Sequence, residues 1–196
     1  MTEKYVIGVD YGTLSGRALV VRASDGKEMG SAVFEYPNAV MDRVLNSSGA
    51  PLGPDWALQD PMDYVEVLKN AVPAAVKAAG IDGADVVGIA TDFTASTPLP
   101  VHEDGTPFSA TDEYRNNPHA YVKLWKHHAA QPHADRINNM ARERNEKWMP
   151  RYGGQISSEW ELAKVEHVII DEDTKIREFR RELQWTAAYH RFAERI

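Results

Sequence analysis

Two apolar runs near the N-terminus are separated by a short turn with a glycine at each end. The runs are residues 4–11 and 17–23, and the turn, GTLSG, is residues 12–16. β-Branched and aromatic runs bounded by glycine are typical of strands joined in a hairpin. A third such run, residues 28–36, follows the polar turn at 24–27. The chain is therefore predicted to open with an antiparallel three-stranded meander.

A helix with clear end signals follows an irregular segment at residues 37–59, which is rich in Pro, Gly, Asn and Ser. Asp60 is suited to the N-cap, Pro61 to the first helical position and Gly80 to the C-terminal stop. Pro73 inside the helix predicts a kink. Apolar residues recur there at helical spacing and predict the buried face: Val65, Leu68, Val72, Val76 and Ala79.

The apolar run DVVGIAT, residues 85–91, is typical of a strand that is buried on both faces. It follows the helix, so a strand, helix, strand connection makes the sheet mixed. The second half is predicted to be mostly helical, with one helix starting at Asn117 and Pro118, one at Pro132 and one capped by Ser158. The predicted fold class is α/β.

Composition narrows the classes of function. The 196 residues carry 22 Lys plus Arg against 29 Asp plus Glu, a net charge of −7, with no basic run that would favour nucleic-acid binding. There is no cysteine, which excludes disulfides and thiolate chemistry. No segment has the apolar length of a membrane span or the apolar centre of a signal peptide. We expect a cytoplasmic protein with no membrane partner.

The hairpin residues also suggest a chemistry. Asp10 ends the first strand, and the turn offers backbone N–H groups and the hydroxyls of Thr13 and Ser15, a combination that suits phosphate oxygens. A carboxylate beside a phosphate needs a cation, so Mg²⁺ with Asp10, and Arg17 nearby, would bind a nucleotide. The same residues also fit an ordinary hairpin in which Asp10 and the glycines only shape the turn.

Longer stretches resemble the FGGY carbohydrate kinases, members of the actin and hexokinase superfamily with a ribonuclease H-like domain. The resemblance runs from the start of the chain to about residue 166. It rests on GVDYGTLSGRALVV (8–21), DWALQDPMDYVEVL (55–68), GIATDFTAST (88–97), NNPHAYVKLWKHHAAQ (116–131) and RYGGQISSEW (151–160).

The resemblance implies ATP and Mg²⁺ as cofactors. Asp10 matches the catalytic carboxylate that acts through the metal on the nucleotide phosphates. Gly12, Thr13 and Arg17 match the turn that contacts those phosphates. Leu14 occupies a position that is often polar in relatives, so no polar role is carried over to it.

The resemblance also implies a sugar site. Ala95 matches a residue that lines the pentulose pocket, and Trp125 matches the aromatic residue against the sugar; Asp92, Thr94 and Lys126 are neighbours that would contact its hydroxyls. From spacing alone, Trp125 also fits the core of a helix and Asp92 also fits a cap of the turn after its strand.

The function that the resemblance implies is the ATP-dependent phosphorylation of L-ribulose to L-ribulose 5-phosphate in L-arabinose catabolism. The resemblance covers roughly the first third of a family member and lacks the later motif with the catalytic base, so the chain alone is expected to be inactive. Residues 1–166 would form the kinase domain, and residues 167–196 a helical segment. Alternatives are a kinase for another pentulose such as xylulose, or a non-catalytic sugar-binding or assembly module. The expected protein partner is a separately encoded C-terminal kinase half or a second copy of the chain in a homodimer.

Four histidines fall within a short stretch and raise the question of a metal site: His119, His127, His128 and His133. Adjacent His127 and His128 would point to different sides of a helix, so a solvated or packed role is the favoured prediction.

Overall fold

The computed structural model describes residues 3–171 and divides them into two compact units. The first unit contains the described residues up to Val40 together with Gln59–Ala95, and the second contains Met41–Leu58 and the described residues from Ser96 onward. Residues 167–171 belong to a helix of the second unit. The remainder of the segment predicted for 167–196 lies outside the described residues.

The first unit is built on a mixed four-stranded sheet. Its strands are β1 (Tyr5–Tyr11), β2 (Ser15–Arg22), β3 (Glu28–Glu35) and β5 (Val86–Phe93), in the order β3-β2-β1-β5. β1 pairs antiparallel with β2, and β2 pairs antiparallel with β3, whereas β1 and β5 are parallel. The predicted meander and the mixed sheet are therefore confirmed.

Helix α1 (Pro61–Ala79) connects the meander to β5 and has the predicted ends. The Asp60 carboxylate accepts a hydrogen bond from the Met62 amide at 2.9 Å, which satisfies one of the free N–H groups of the first turn. Gly80 ends the helix in the left-handed conformation, with φ of 65°. The helix runs unbroken through Pro73.

The buried face of α1 agrees with the predicted one only in part, since three of the predicted residues are half-buried and pack against the core: Val72, Val76 and Ala79. Val67, Ala71 and Ala75 are fully buried, whereas Val65 is 37% exposed and Leu68 is 44% exposed. The fully buried face includes Ala71 and Ala75, whose small side chains let the helix approach the sheet closely. The spacing of apolar residues does not show which face of the helix has side chains small enough for this close approach.

Two glycines of the sheet make that approach possible. A Cβ atom on Gly16 would lie 2.4 Å from a methyl carbon of Val67, and one on Gly30 would lie 2.4 Å from the backbone nitrogen of Ala79. Both distances are far below van der Waals contact, so any larger residue would push the helix away. Gly16 is therefore a packing residue as well as the end of the hairpin turn.

Strand β5 is exposed, which corrects the prediction that it is buried on both faces. Val86 is half-buried, and the seven residues that follow it are all exposed. Among the described strands β5 lies at the edge of the sheet, with β1 as its only neighbour. Val87 is 62% exposed and Ile89 is 56% exposed, so the described residues leave the apolar side chains of this strand largely uncovered.

The second unit contains α2 (Gln131–Glu143), α3 (Glu161–Asp171), the two-residue strand β6 (Val122–Lys123) and Leu58 of strand β4 (Leu58–Gln59), with several 3₁₀ turns. The irregular segment before Leu58 is ordered, and its apolar side chains join a buried cluster: Met41, Leu45, Leu58, Phe108, Tyr114, Ala120 and Tyr121. No helix in the described part of the chain is long and apolar enough to cross a membrane.

The prediction of a helix that starts at Asn117 and Pro118 is wrong. Asn117 does cap a turn by accepting from the His119 amide, but the turn is a single 3₁₀ segment, Pro118–Ala120, followed by β6. The Lys123 amide donates to the Pro98 carbonyl at 3.1 Å. This long-range hydrogen bond replaces the helical one, and local end signals cannot reveal it.

The other two helix predictions have different outcomes. α2 carries a proline in its first turn as predicted from Pro132. α3 begins at Glu161, so Ser158 is not its cap; the Ser158 hydroxyl instead lies 3.1 Å from Nδ1 of His128.

Candidate functional site

Three charged residues lie side by side across the sheet of the first unit. Register pairs Asp10 of β1 with Arg17 of β2 on one side and with Asp92 of β5 on the other. Nη1 of Arg17 donates to Oδ2 of Asp10 at 2.6 Å, and both side chains are about half exposed, at 54% and 50%. The sheet thus presents two carboxylates, from β1 and β5, and one guanidinium, from β2, next to the carboxyl end of β1.

The hairpin turn next to this row is closed by its own backbone. The Gly12 amide donates to the Ser15 carbonyl at 2.9 Å, and Ser15 is buried. The Gly12 N–H is therefore already used in this conformation. It is not one of the turn donors that are open to a phosphate. A Cβ on Gly12 would lie 3.0 Å from the Ser15 oxygen and 3.5 Å from Nη1 of Arg17, so glycine leaves room for the guanidinium.

Gln59 supports the turn from inside and was not identified from the sequence. Its side chain is fully buried, and its Nε2 donates to the Thr13 carbonyl at 2.7 Å and to the Gly12 carbonyl at 3.4 Å. Its Oε1 accepts from the Tyr64 hydroxyl at 2.6 Å. Every part of the amide is used, so its orientation is fixed. A glutamine before Asp-Pro carries no local signal for such a role.

Aromatic rings join the ends of β1 and β5 behind the charged row. Tyr11 and Phe93 stack with ring centroids 4.6 Å apart and planes 4° apart, and Tyr64 meets Tyr11 edge to face at 5.4 Å. Burial raises the pKa of the Tyr64 hydroxyl, so it stays protonated and donates to Gln59 at neutral pH. These contacts help to hold Asp10 and Asp92 in register.

The donor set fits Mg²⁺ and a nucleotide phosphate. Mg²⁺ prefers carboxylate, water and phosphate oxygens, and Asp10 supplies a half-exposed carboxylate at a strand end. Arg17 uses one terminal nitrogen on Asp10, and its planar group has further donors that suit phosphate oxygens. Thr13 lies in the same turn and is half-buried.

The residues predicted to contact a sugar fall in both units. Thr94 and Ala95 follow β5 directly in the first unit, and Ala95 is exposed. Trp125 lies in the second unit, outside any helix, and is 41% exposed. The interpretation of Trp125 as a helix core residue is therefore wrong, because Trp125 lies in a turn after β6, closed by the hydrogen bond from the His127 amide to the Leu124 carbonyl at 2.9 Å. Lys126 beside it is half-buried.

The histidines form a packed cluster with Trp56. Nδ1 of His127 accepts from the Ala57 amide at 3.1 Å, and its Nε2 lies 3.1 Å from Nδ1 of His167, against which the rings of His119 and His133 also pack. Burial, reinforced by the charge of Lys123, lowers the pKa of both His119 and His127 to about 2. No group of three or more metal-ligating side chains is arranged to hold an ion within the described part of the chain. His119, His127 and His133 are packed, whereas the side chain of His128 is 46% exposed.

Comparison with known proteins places the chain in a family. No protein-family model matches the sequence. The chain is 59% identical over 176 residues to a ribulokinase from Mycolicibacterium smegmatis and 54% identical over 169 residues to one from Halalkalibacterium halodurans. The chain belongs to the ribulokinase family. The two matches cover 88% and 86% of this chain but only 31% and 30% of those relatives, so the chain spans under a third of their length.

Solved structures agree on the fold. A xyloylose kinase from Brucella ovis superposes with a TM-score of 0.65 at 15% identity, over 90% of this chain and 30% of that one. A xylulose kinase from Bifidobacterium adolescentis gives 0.58 at 18% identity, over 87% and 30%. The neighbours are sugar kinases with the actin and hexokinase type of fold, which confirms the predicted fold class.

Proposed function

We propose that this chain is the sugar- and phosphate-binding part of an ATP-dependent kinase that converts L-ribulose to L-ribulose 5-phosphate. The identity of 59% over 176 residues to a ribulokinase carries the proposal. The charged row at the end of β1 supports it, because phosphoryl transfer depends on positioning and neutralising phosphate charge.

On the nucleotide side, a bound Mg²⁺ would supply the positive charge that stabilises the phosphates during transfer. Asp10 is assigned to hold that ion, as both catalytic and metal-binding residue. Arg17 is assigned to the phosphate oxygens, and in the structure it keeps the Asp10 carboxylate oriented through the 2.6 Å hydrogen bond. Gly12 and Thr13 complete the ATP phosphate-binding turn.

On the sugar side, the exposed ring of Trp125 offers an apolar face for the C–H face of a pentulose. Ala95, with its small side chain, is assigned to the wall of the pocket. Asp92, Thr94 and Lys126 are assigned to the sugar hydroxyls. The general base is not among these residues, so we expect the 196-residue chain to bind ligand without turnover.

L-Ribulose is preferred over xylulose as the proposed substrate. The matched relatives at 48–59% identity are ribulokinases, whereas the xylulose kinases resemble this chain at 18% identity or less. We further propose the cytoplasm as the location, residues 1–166 as the kinase segment, and a separate C-terminal half as the partner that would supply the base.

A chimera tests the proposal. Residues 1–166 of this chain replace the matching segment of the Mycolicibacterium smegmatis ribulokinase, and ATP consumption is measured with L-ribulose and with D-xylulose. We expect phosphorylation of L-ribulose in the presence of Mg²⁺. The Asp10→Asn chimera is expected to lose activity by about a hundredfold or more, since it removes a charge used in the transition state.

The Asp42→Asn chimera is the matched control, because Asp42 is an exposed carboxylate outside the assigned residues. It should keep its activity. A folded chimera that phosphorylates xylulose better than ribulose would replace the proposed substrate. A folded chimera with equal activity in the Asp10→Asn and Asp42→Asn forms would contradict the role of Asp10.

A further inference from the structure

Lys164 of α3 carries a buried ammonium group with an unusual set of partners. The residue is fully buried, and its Nζ donates to the Ser96 carbonyl at 2.7 Å and to the Trp125 carbonyl at 3.3 Å. Both partners are backbone oxygens, and Lys164 forms no ion pair with a carboxylate among residues 3–170. Burying a charge without a counter-ion is costly, so such a lysine needs a reason to be there.

The two carbonyls belong to the segments that carry proposed sugar contacts. Ser96 follows Ala95 directly, and Trp125 supplies the proposed stacking ring. Ser96 has a φ of 52°, in the left-handed region that a residue with a Cβ seldom adopts. A charge-assisted hydrogen bond to its carbonyl, the shorter of the two, opposes relaxation of that backbone.

We propose that Lys164 is a positioning residue for the sugar site, in which its ammonium bridges the Ser96 and Trp125 carbonyls and fixes the backbone that presents Trp125. The inference rests on the proposed function, because the sugar role of Trp125 is itself proposed. An apolar side chain at this position would leave two carbonyl oxygens without their donor. The site would keep its residues but lose the fixed orientation of the ring.

Burial is consistent with this account. It lowers the pKa of Lys164 to about 8, whereas Glu159 and Glu161 act in the opposite direction. Around neutral pH the group therefore still carries the proton that makes both hydrogen bonds. The charge is retained despite its cost because the two carbonyls accept from it.

The absence of cysteine allows a test by chemical replacement. In Lys164→Cys the new thiol is the only one in the chain, so it can be alkylated selectively in denaturant before refolding. Aminoethylation restores a side chain of lysine length with its ammonium. Propylation gives a side chain of the same length and nearly the same volume without the charge, and is the matched control.

Two readings are taken on the full chain labelled with 5-fluorotryptophan. The ¹⁹F resonance of Trp125, assigned by its loss in Trp125→Phe, reports the ring's surroundings without any ligand, and calorimetry gives the affinity for L-ribulose. We expect the aminoethylated protein to match the native chain in both. The propylated protein should show a displaced Trp125 resonance and about tenfold weaker binding, the effect expected when a charge-assisted hydrogen bond is lost.

Lys164→Gln is the second variant, because an amide keeps a donor in the buried site and is less prone to prevent folding. It is expected to shift the Trp125 resonance and weaken binding in the same direction. A folded propylated or Lys164→Gln protein with the native Trp125 resonance and an affinity within twofold of native would overturn the proposal. If the native chain binds no ribulose, the proposed function fails, while the Trp125 resonance still decides whether Lys164 positions this segment.

Discussion

Acid should unfold this protein through its buried histidines before its carboxylates are protonated. His119 and His127 have pKa values lowered to about 2, first by burial and then by the charge of Lys123, so both are neutral in the folded state. In the unfolded chain each returns to a pKa of about 6.5. The stability they contribute is fully present above about pH 6.5 and is lost as the pH falls from there toward 2.

The size of the effect follows from proton counting. Below about pH 6 the unfolded state binds two more protons than the folded state at these residues, which lowers the free energy of unfolding by about 2.7 kcal/mol per pH unit. Between about pH 7.5 and pH 5 the integrated loss is about 4 kcal/mol. This is a large part of the stability of an ordinary domain, about 5–15 kcal/mol.

Urea unfolding followed by tryptophan fluorescence at a series of pH values measures this loss. In the native chain Nδ1 of His127 accepts a hydrogen bond from the Ala57 amide at 3.1 Å. In His127→Asn, the Asn Oδ1 can still accept that hydrogen bond. That variant should lose about half of the pH slope, about 1.4 kcal/mol per pH unit. His128→Asn is the matched control, because His128 is adjacent but its side chain is 46% exposed.

The reasoning would be refuted by a free energy of unfolding that stays constant between about pH 7.5 and pH 5. It would also be refuted if His128→Asn reduced the pH slope as much as His127→Asn does.

Two further predictions concern the first unit. Gly16→Ala places a Cβ 2.4 Å from Val67 and should lower the free energy of unfolding by about 1–3 kcal/mol, whereas Gly8→Ala, with nothing within 4 Å of its Cβ, should not. Gln59→Leu leaves the Tyr64 hydroxyl and two turn carbonyls without their partner and should cost about 2–3 kcal/mol. Urea unfolding measures both. Equal stability of the two alanine variants, or native stability of Gln59→Leu, would contradict the packing described here.

Local signals in the sequence were sufficient for the ends of α1 and for the strands of the hairpin. Asp60, Pro61 and Gly80 mark the ends of α1 because capping and backbone conformation depend on one or two residues. The β-branched and aromatic runs and the turn glycines of the hairpin predicted β1 and β2 for the same reason. The register that sets Asp92 beside Asp10 was not predicted, since it is fixed by pairing between distant segments.

Long-range contacts account for the wrong helix prediction in the second unit and for the two buried polar residues that were missed. The segment after Asn117 has helix start signals, but the Lys123 amide is taken by the Pro98 carbonyl, which is distant in sequence. Gln59 and Lys164 act through carbonyls that are distant in the chain, and a glutamine or lysine in a polar sequence predicts exposure. Such residues become visible only when the fold brings their partners together.

Calorimetric titration of the 196-residue chain with L-ribulose tests the central proposal most directly, because it needs neither turnover nor a second domain. We expect saturable binding of one sugar per chain, weaker binding of D-xylulose, and a loss of about tenfold or more in affinity in Trp125→Ala, as for removal of a buried aromatic contact. Trp160→Ala, at a tryptophan with 43% exposure close to the 41% of Trp125, should bind normally. No binding of L-ribulose by the folded chain, or unchanged binding in Trp125→Ala, would contradict the account.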